Sequence, residues 1–392
     1  MTLPIKKIIS LGLFTAFIFF LGGLGGVFFE RFVLPALSSV ELLSEYSLFK
    51  KAGERTTIIN KTEQVVIRED DSVERIISQP ATAVVNVVTV FEDGTSVKKP
   101  TPVVGGRQVE TRTGVLLTNG GLIVTYTNVA PEKEGVWYTV LLFDGKNYRA
   151  RLVGYDSLTN LAYFHLEETL TVPAIALANS DDARIGKRLI AIGNSFAEYQ
   201  NRIALGALQN KNRTLNLSAQ SVAASEKWEG VFEMDIPHVK EFVGGPAIGY
   251  NGEMVGLVGS YIYNNETVGF ILPANVVKSS YERVVGNTLD KRVNLGVYYL
   301  PLTKAFALSQ GLTHDRGALV FSPGGETGLA VLANSTAAKA GIQAGDIISA
   351  VDKQEVNLDN PLPSLLSHYN LGDTAEILII RNGQEKVLAV QF

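Results

Sequence analysis

The chain has 392 residues, with 37 glycines, 14 prolines, a hydrophobic share of 46%, and 35 basic against 39 acidic residues for a net charge of −4. That length exceeds one ordinary core and predicts two folded domains plus a tail. The balanced charge, with no basic stripe, argues against nucleic acid as a partner, and the absence of cysteine excludes a disulfide framework and thiol chemistry.

The N-terminal residues 1–7 end in Lys6 and Lys7, and Ile8 to Phe29 then carry no charge. As a helix, this run is long enough to cross a hydrocarbon core of ~30 Å. The positive-inside rule places the two lysines in the cytoplasm and the folded parts outside a cell membrane spanned once. A cleaved signal peptide competes with this reading, although the apolar run is long for one and no small-residue cleavage site follows it. Gly22 and Gly26 form a GxxxG pair, which either lets two such helices approach or is simply tolerated in lipid. Residues 30–75 then read as a stalk. The spaced apolar residues of Ser38–Lys51 suggest a short helix, and an acidic cluster follows at Glu69-Asp70-Asp71.

Residues 76–286 consist of short β-branched and aromatic runs divided by Gly, Asn and Asp. Among them are Ala83–Phe91, Gly114–Leu117, Leu122–Thr125, Trp137–Phe143 and Leu189–Ile192. Short strands at such spacing predict an all-β barrel or sandwich. Asn119-Gly120 between two apolar runs signals a hairpin, and Lys98–Arg112, rich in Pro, Gly and charge, reads as an exposed loop. Residues 292–392 form a second unit around Ser335–Ile348, a small-residue helix leading through Gly345-Asp346 into a strand, with a hinge at Gly286-Asn287-Thr288.

In order along the chain stand Thr113-Gly114-Val115, Asn119-Gly120, Leu122–Thr125, Ala191–Phe196, Gly244–Ala247, Asn251–Gly256 and Val268–Pro273. On these landmarks the chain resembles the HtrA/Deg family of trypsin-fold serine proteases with a C-terminal PDZ domain, from about Ile76 to the C-terminus. The resemblance implies a mainly β architecture: a trypsin-like double β-barrel followed by an α+β PDZ domain. Here these would be preceded by a transmembrane helix.

The same resemblance assigns the catalytic positions. Where the family carries its histidine base this chain has Asn128, where it carries the aspartate it has Asn160, and where it carries the serine it has Val243. Valine has no oxygen to attack a carbonyl, and asparagine cannot take up a proton as imidazole does. Loss of serine or histidine alone costs on the order of 10⁶ in turnover in a well-studied serine protease. Glu241 also stands at the glycine whose N–H helps build the oxyanion hole, and a side chain there resists unusual backbone angles. His238, flanked by Asp235 and Glu241, is either a polar loop residue or the seed of a replacement site. No metal-ligand spacing and no phosphate loop appears, so neither a metal nor a cofactor is expected.

In the second unit, Asn294-Leu295-Gly296-Val297 resembles the family's carboxylate-binding loop, which makes Leu295, Gly296, Val297 and Tyr298 the expected peptide-binding residues. The resemblance implies that its backbone N–H groups grip a peptide C-terminus while the strand from Val297 accepts an extended chain by β-augmentation. Pro361–Tyr369 would line the opposite wall, although Asn294 replaces the family's aromatic residue. A PDZ fold used only for packing is the alternative.

The expected function is a membrane-anchored pseudoprotease of protein quality control. It would bind unfolded or C-terminal segments of extracytoplasmic proteins, acting as chaperone or adaptor or regulating an active relative, with a homo- or hetero-trimer implied by the family. A serine endopeptidase or other hydrolase with displaced catalytic residues is the competing expectation.

Overall fold

A computed structural model describes residues 5–28, 69–91, 103–104, 107–131, 134–194, 201–218, 222–263, 265–325 and 328–392. The chain divides into two units, Met1–Ile67 and Arg68–Phe392. In the first, α1 (Ile5–Phe28) is a helix of 24 residues. Its described large side chains, Leu13, Phe14, Phe17, Ile18, Phe20, Leu21, Leu24 and Phe28, are exposed. Among the described residues no helix is long and apolar enough to cross a membrane; the long uncharged run of Ile8–Phe29 is a statement about the sequence. The expected helix over Ser38–Lys51, and most of the stalk, lie outside the described residues.

The second unit begins with α2 (Glu69–Ile77), whose Val73, Ile76 and Ile77 pack against the core shared by the two barrels. The strands follow as β1 (Val84–Phe91), β2 (Val103–Val104), β3 (Arg107–Leu116), β4 (Leu122–Tyr126), β5 (Val136–Leu141), β6 (Asn147–Asp156) and β7 (Leu161–Leu166). They form one sheet in the order β1-β5-β6-β7-β4-β3-β2, and a β1–β3 pairing closes it into a barrel. Valine-rich β1 and β4 are almost wholly buried, as strands covered on both faces should be.

The Lys98–Arg112 loop expectation fails at its C-terminal part, because Val109 to Arg112 pair with β1. The charges misled: Glu110 and Arg112, two apart and so on one face of the strand, form an ion pair at 2.7 Å. The Asn119-Gly120 hairpin forms, with Leu117 N–H donating to Leu122 O at 2.8 Å. Gly121 carries its left-handed angle, φ +86°.

The second barrel takes β8 (Arg188–Gly193), β9 (Arg202–Asn216), β11 (Glu229–Met234), β12 (Pro246–Gly249), β13 (Met254–Tyr263) and β14 (Glu266–Pro273), closed as β11-β14-β13-β12-β8-β9. Between β9 and β11 the short strand β10 (Ala223–Ala224) leaves the barrel and joins the next sheet. Helix α3 (Ala274–Val285) then packs Val276 and Val277 on the barrel core.

The last sheet runs β10-β15-β16-β17-β19-β20, from β15 (Tyr298–Pro301), β16 (Ala318–Val320), β17 (Ile347–Val351), β19 (Thr374–Arg381) and β20 (Gln384–Gln391), with β18 (Gln354–Glu355) beside β17. Three short helices, α4 (Lys304–Gln310), α5 (Thr336–Ala340) and α6 (Leu362–Leu366), complete this PDZ unit. The wall helix read at Pro361–Tyr369 is shorter than that, since Pro361 is its N-cap and Ser367 its C-cap.

The Gly286–Thr288 hinge is clamped. Arg283 on α3 donates to Thr288 O at 3.2 Å and reaches the PDZ unit at Ser367 O (2.6 Å) and Asn370 Oδ1 (3.1 Å). Arg292 bonds buried Asp156 at 2.5 Å, and Ser280 Oγ donates to the same carboxylate at 2.5 Å. Barrel, helix and linker thus converge on one charge.

Candidate functional site: a cleft between barrels and an occupied groove

Past the end of β4, Thr127 N–H donates to Asn160 O at 2.9 Å. This sets Asn128 and Asn160 side by side. Asn128 is exposed and sends its amide to Ser260 O on β13 at 3.2 Å. Asn160 is buried and left-handed at φ +58°, a conformation that asparagine tolerates better than most residues. Its amide donates to Tyr126 Oη at 3.2 Å, while its Oδ1 accepts from Tyr155 Oη at 3.1 Å and from Lys227 Nζ at 2.7 Å. Burial holds the Tyr126 hydroxyl well above its ordinary range and that of Tyr155 at about 12, so both remain neutral hydrogen-bonding groups. Burial also lowers the Lys227 ammonium, opposed by the charge of Asp156.

Val243 is half-buried between the cores of the two barrels. It is followed by Gly244, whose N–H donates to Val258 O at 2.8 Å. A Cβ on Gly244, which has φ +87°, would stand 2.2 Å from Thr113 O and 2.4 Å from Thr125 Oγ1, so only glycine fits. Val243-Gly244 therefore lies against β3 and β4, three residues short of Asn128. Asn128, through Ser260 on β13, and Val243, against both cores, thus stand at the junction of the two barrels, with Asn160 buried beside Asn128.

The N–H of Glu241 donates to His238 O at 2.9 Å inside a 3-10 turn (Val239–Glu241), and its carboxylate pairs with Arg202 at 2.7 Å. The donor expected at the oxyanion position is thus spent within its own turn. His238 sits at the head of that turn with φ +51°. Among the described residues no group of His, Asp and Glu is placed to hold a metal ion.

The loop of residues 294–297 precedes β15 and turns sharply at its glycine. Gly296 has φ +79°, and a Cβ there would meet that of Ser335 at 2.3 Å. On the inner side Tyr298 N–H bonds Ala330 O at 2.8 Å, and Leu332 N–H bonds Gly296 O at 2.9 Å.

The outer side is already taken by the same chain. Ala223 pairs with Tyr299 and Ala224 with Tyr298 in antiparallel register, and Ser225 N–H donates to Val297 O at 3.0 Å. Val297 N–H donates to Ser225 Oγ at 3.1 Å, and Gly296 N–H donates to Glu226 Oε1 at 2.7 Å. Ala223, 3% exposed, packs in one cluster with Leu295, Val297, Leu365 and Leu366. A short strand and a carboxylate from residues 223–226 thus cover the outer edge of β15 and the loop before it.

None of Asn216, Glu226, Lys227 and Glu229 was singled out from the sequence. Asn216 braces the loop by bonding Ala224 O and Lys227 O, and Glu229 accepts from Tyr299 Oη at 2.6 Å. Only a paired acid and base in an otherwise small-residue stretch marks this segment in the sequence.

Two six-stranded antiparallel barrels followed by a PDZ sheet define a trypsin-fold protein with a PDZ domain. The "Trypsin-like peptidase domain" family matches residues 112–257 and the "PDZ domain" family residues 303–392. A DegP-like periplasmic serine endoprotease of Rhizobium meliloti (strain 1021) is 28% identical over 282 residues, covering 71% of this chain and 52% of that protein. The periplasmic serine endoprotease DegP of Escherichia coli (strain K12) is 28% identical over 276 residues, covering 69% of this chain and 54% of that protein. The chain thus spans about half the length of the curated relatives it matches. The fold is also that of the HtrA-type protease AlgW solved with a decapeptide, at a TM-score of 0.60 and 24% identity over 81% of this chain and 96% of that one. The chain thus combines a trypsin-like peptidase domain with a PDZ domain, and the curated relatives it matches are proteases named DegP or DegP-like.

Proposed function

We propose that this protein is a pseudoprotease that binds extracytoplasmic polypeptides through its PDZ groove, acting as a chaperone or adaptor or as the regulator of an active HtrA relative. The observation that carries the reading is the groove edge itself, where Gly296, Val297 and Tyr298–Tyr299 receive an antiparallel strand together with a carboxylate. That is the chemistry of C-terminal peptide recognition by β-augmentation. The AlgW structures, solved with decapeptide and tripeptide, support the groove as a peptide site by analogy of fold.

Loss of catalysis is supported by Val243 without a nucleophilic oxygen, Asn128 without a proton-accepting nitrogen, and a Glu241 N–H committed to His238 O. Membrane anchoring rests on the uncharged run Ile8–Phe29 after Lys6 and Lys7, and on the exposed apolar side chains of α1. An extracytoplasmic location is consistent with relatives named as periplasmic. Assembly as a homo- or hetero-trimer follows from the family resemblance.

The test pairs a fluorophosphonate probe with casein digestion on the full chain, and adds a C-terminal peptide array. No labelling, intact casein and captured peptides are expected. Labelling that disappears when a single serine is changed would sink the pseudoprotease reading.

A further inference from the structure

We infer that residues Ala223–Glu226 are an internal ligand of the PDZ groove, and that external peptides bind by displacing them. The inference rests on the groove being the peptide site proposed above and goes on to define the competitor. This segment already bonds the loop and strand edge at Gly296 and Val297 and pairs with Tyr298–Tyr299, as a C-terminal peptide would. Ser225 N–H bonds Val297 O at 3.0 Å where the last residue of a peptide would bond. Glu226 Oε1 sits 2.7 Å from Gly296 N, and Ser225 Oγ sits 3.1 Å from Val297 N, standing in for the two oxygens of a terminal carboxylate. Ser225 Oγ also donates to Glu226 Oε1 at 2.6 Å, which ties the two oxygens together.

The stand-in also specifies the ligand class. Ser225 occupies the place of the last residue and Ala223 that of the residue two before it. Ala223 is 3% exposed and belongs to one buried cluster with Leu295, Val297, Leu365 and Leu366, so its place suits a small side chain and resists an aromatic one. The groove therefore selects free C-termini with a small residue at the third position from the end, such as …Val-Ala-Ala-Ser-COO⁻.

A loop tethered to the domain holds the groove at a high effective concentration, so a free peptide competes only weakly until the loop is loosened. Displacement also reaches the first barrel. Lys227, the next residue, bonds Asn160 Oδ1 and Ser157 O at 2.7 and 2.6 Å, and Trp228 N–H bonds Leu158 O at 2.8 Å.

The experiment uses the full chain as wild type, Glu226→Ala and Glu226→Gln. Amide hydrogen exchange is followed at Gly296 and Val297, and a labelled peptide ending in Val-Ala-Ala-Ser is titrated by anisotropy. Losing a hydrogen bond to a charged acceptor should speed exchange at Gly296 and tighten the peptide by about ten-fold or more in Glu226→Ala, with Glu226→Gln between. The amidated peptide, and one with tryptophan at the third position from the end, should bind at least ten-fold more weakly. Gly296 exchanging at exposed-loop rates in the wild type, or equal peptide affinity in all three proteins, would overturn the internal ligand and leave peptide binding intact. Faster exchange in the variants with no peptide bound by any of them would retain the internal ligand and overturn the peptide-recognition reading.

Discussion

Lys227 Nζ donates to Asn160 Oδ1 at 2.7 Å, one residue beyond the Glu226 carboxylate that caps Gly296 N–H. Consecutive side chains of one loop thus bond the first barrel at Asn160 and the PDZ loop at Gly296. The pairing also explains why asparagine suits position 160, where a left-handed backbone and donors from Tyr155 and Lys227 meet.

Replacing Asn160 by aspartate should be tolerated. Lys227 and Tyr155 already donate to this side chain, and Tyr126 Oη, which now accepts from the amide, can turn to donate instead. Asn160→Leu should cost about 2–4 kcal/mol, because it leaves the Tyr126 hydroxyl without this donor, takes one of two acceptors from Lys227 and from Tyr155, and forces a branched side chain to a positive φ. Urea denaturation of the two variants checks this. Equal losses in both would show that the amide network contributes nothing.

Restoring the triad alone should not restore proteolysis. The triple variant Asn128→His, Asn160→Asp, Val243→Ser still has its Glu241 N–H bonded to His238 O. One oxyanion donor is worth about 10²–10³ in turnover. Adding Glu241→Gly should therefore raise peptide hydrolysis by roughly a hundred-fold over the triple variant, as read with a fluorogenic peptide. Full activity in the triple variant would show that the turn reopens unaided.

How legible all this was depended on the range of each interaction. Strands β1, β4 and β8 announced themselves through runs of Val, Ile and Leu, and Gly244 and Gly296 through family landmarks, because local pattern and backbone requirement coincide there. The start of β3 was hidden, since Glu110 and Arg112 neutralise each other on the outer face and read in sequence as loop. Asn128, Asn160 and Val243 could be nominated from motifs, since each stands at a fixed step from a glycine or strand landmark. The roles of Glu226, Lys227 and Glu229 could not, because they arise from contacts some 70 residues apart that no periodicity encodes.

Within the PDZ unit, Arg381 holds Asp346 through two bonds of 2.7 Å, and the carboxylate is 1% exposed. Asp346 also accepts from Gln343 N–H at 2.8 Å, fixing the turn into β17. Arg381→Met removes one partner and leaves a buried charge, which should cost about 2–4 kcal/mol. Changing both residues to apolar ones should recover much of that loss. Thermal melts of the single and double variants separate these outcomes, and a double variant no better than the single one would mean that the backbone bond to Gln343 dominates.

Glu229 sets a pH dependence at the junction between the second barrel and the PDZ sheet. Burial raises its carboxyl from 4.5 to about 8, with the Tyr299 hydroxyl pulling the other way. The folded protein therefore keeps a proton that the unfolded chain releases. Stability from this group is fully present below its ordinary value and drains away as the pH rises from about 4.5 to about 8. A neutral isostere, Glu229→Gln, retains an acceptor for Tyr299 and escapes the cost of ionisation. The wild type should match this variant near pH 5 and fall behind it by a few kcal/mol at pH 8 and above. Urea titrations at several pH values measure the gap. A difference that stays constant with pH would show that Glu229 is ionised in the fold, and that its bond to Tyr299 is a charge-assisted one compensating for burial.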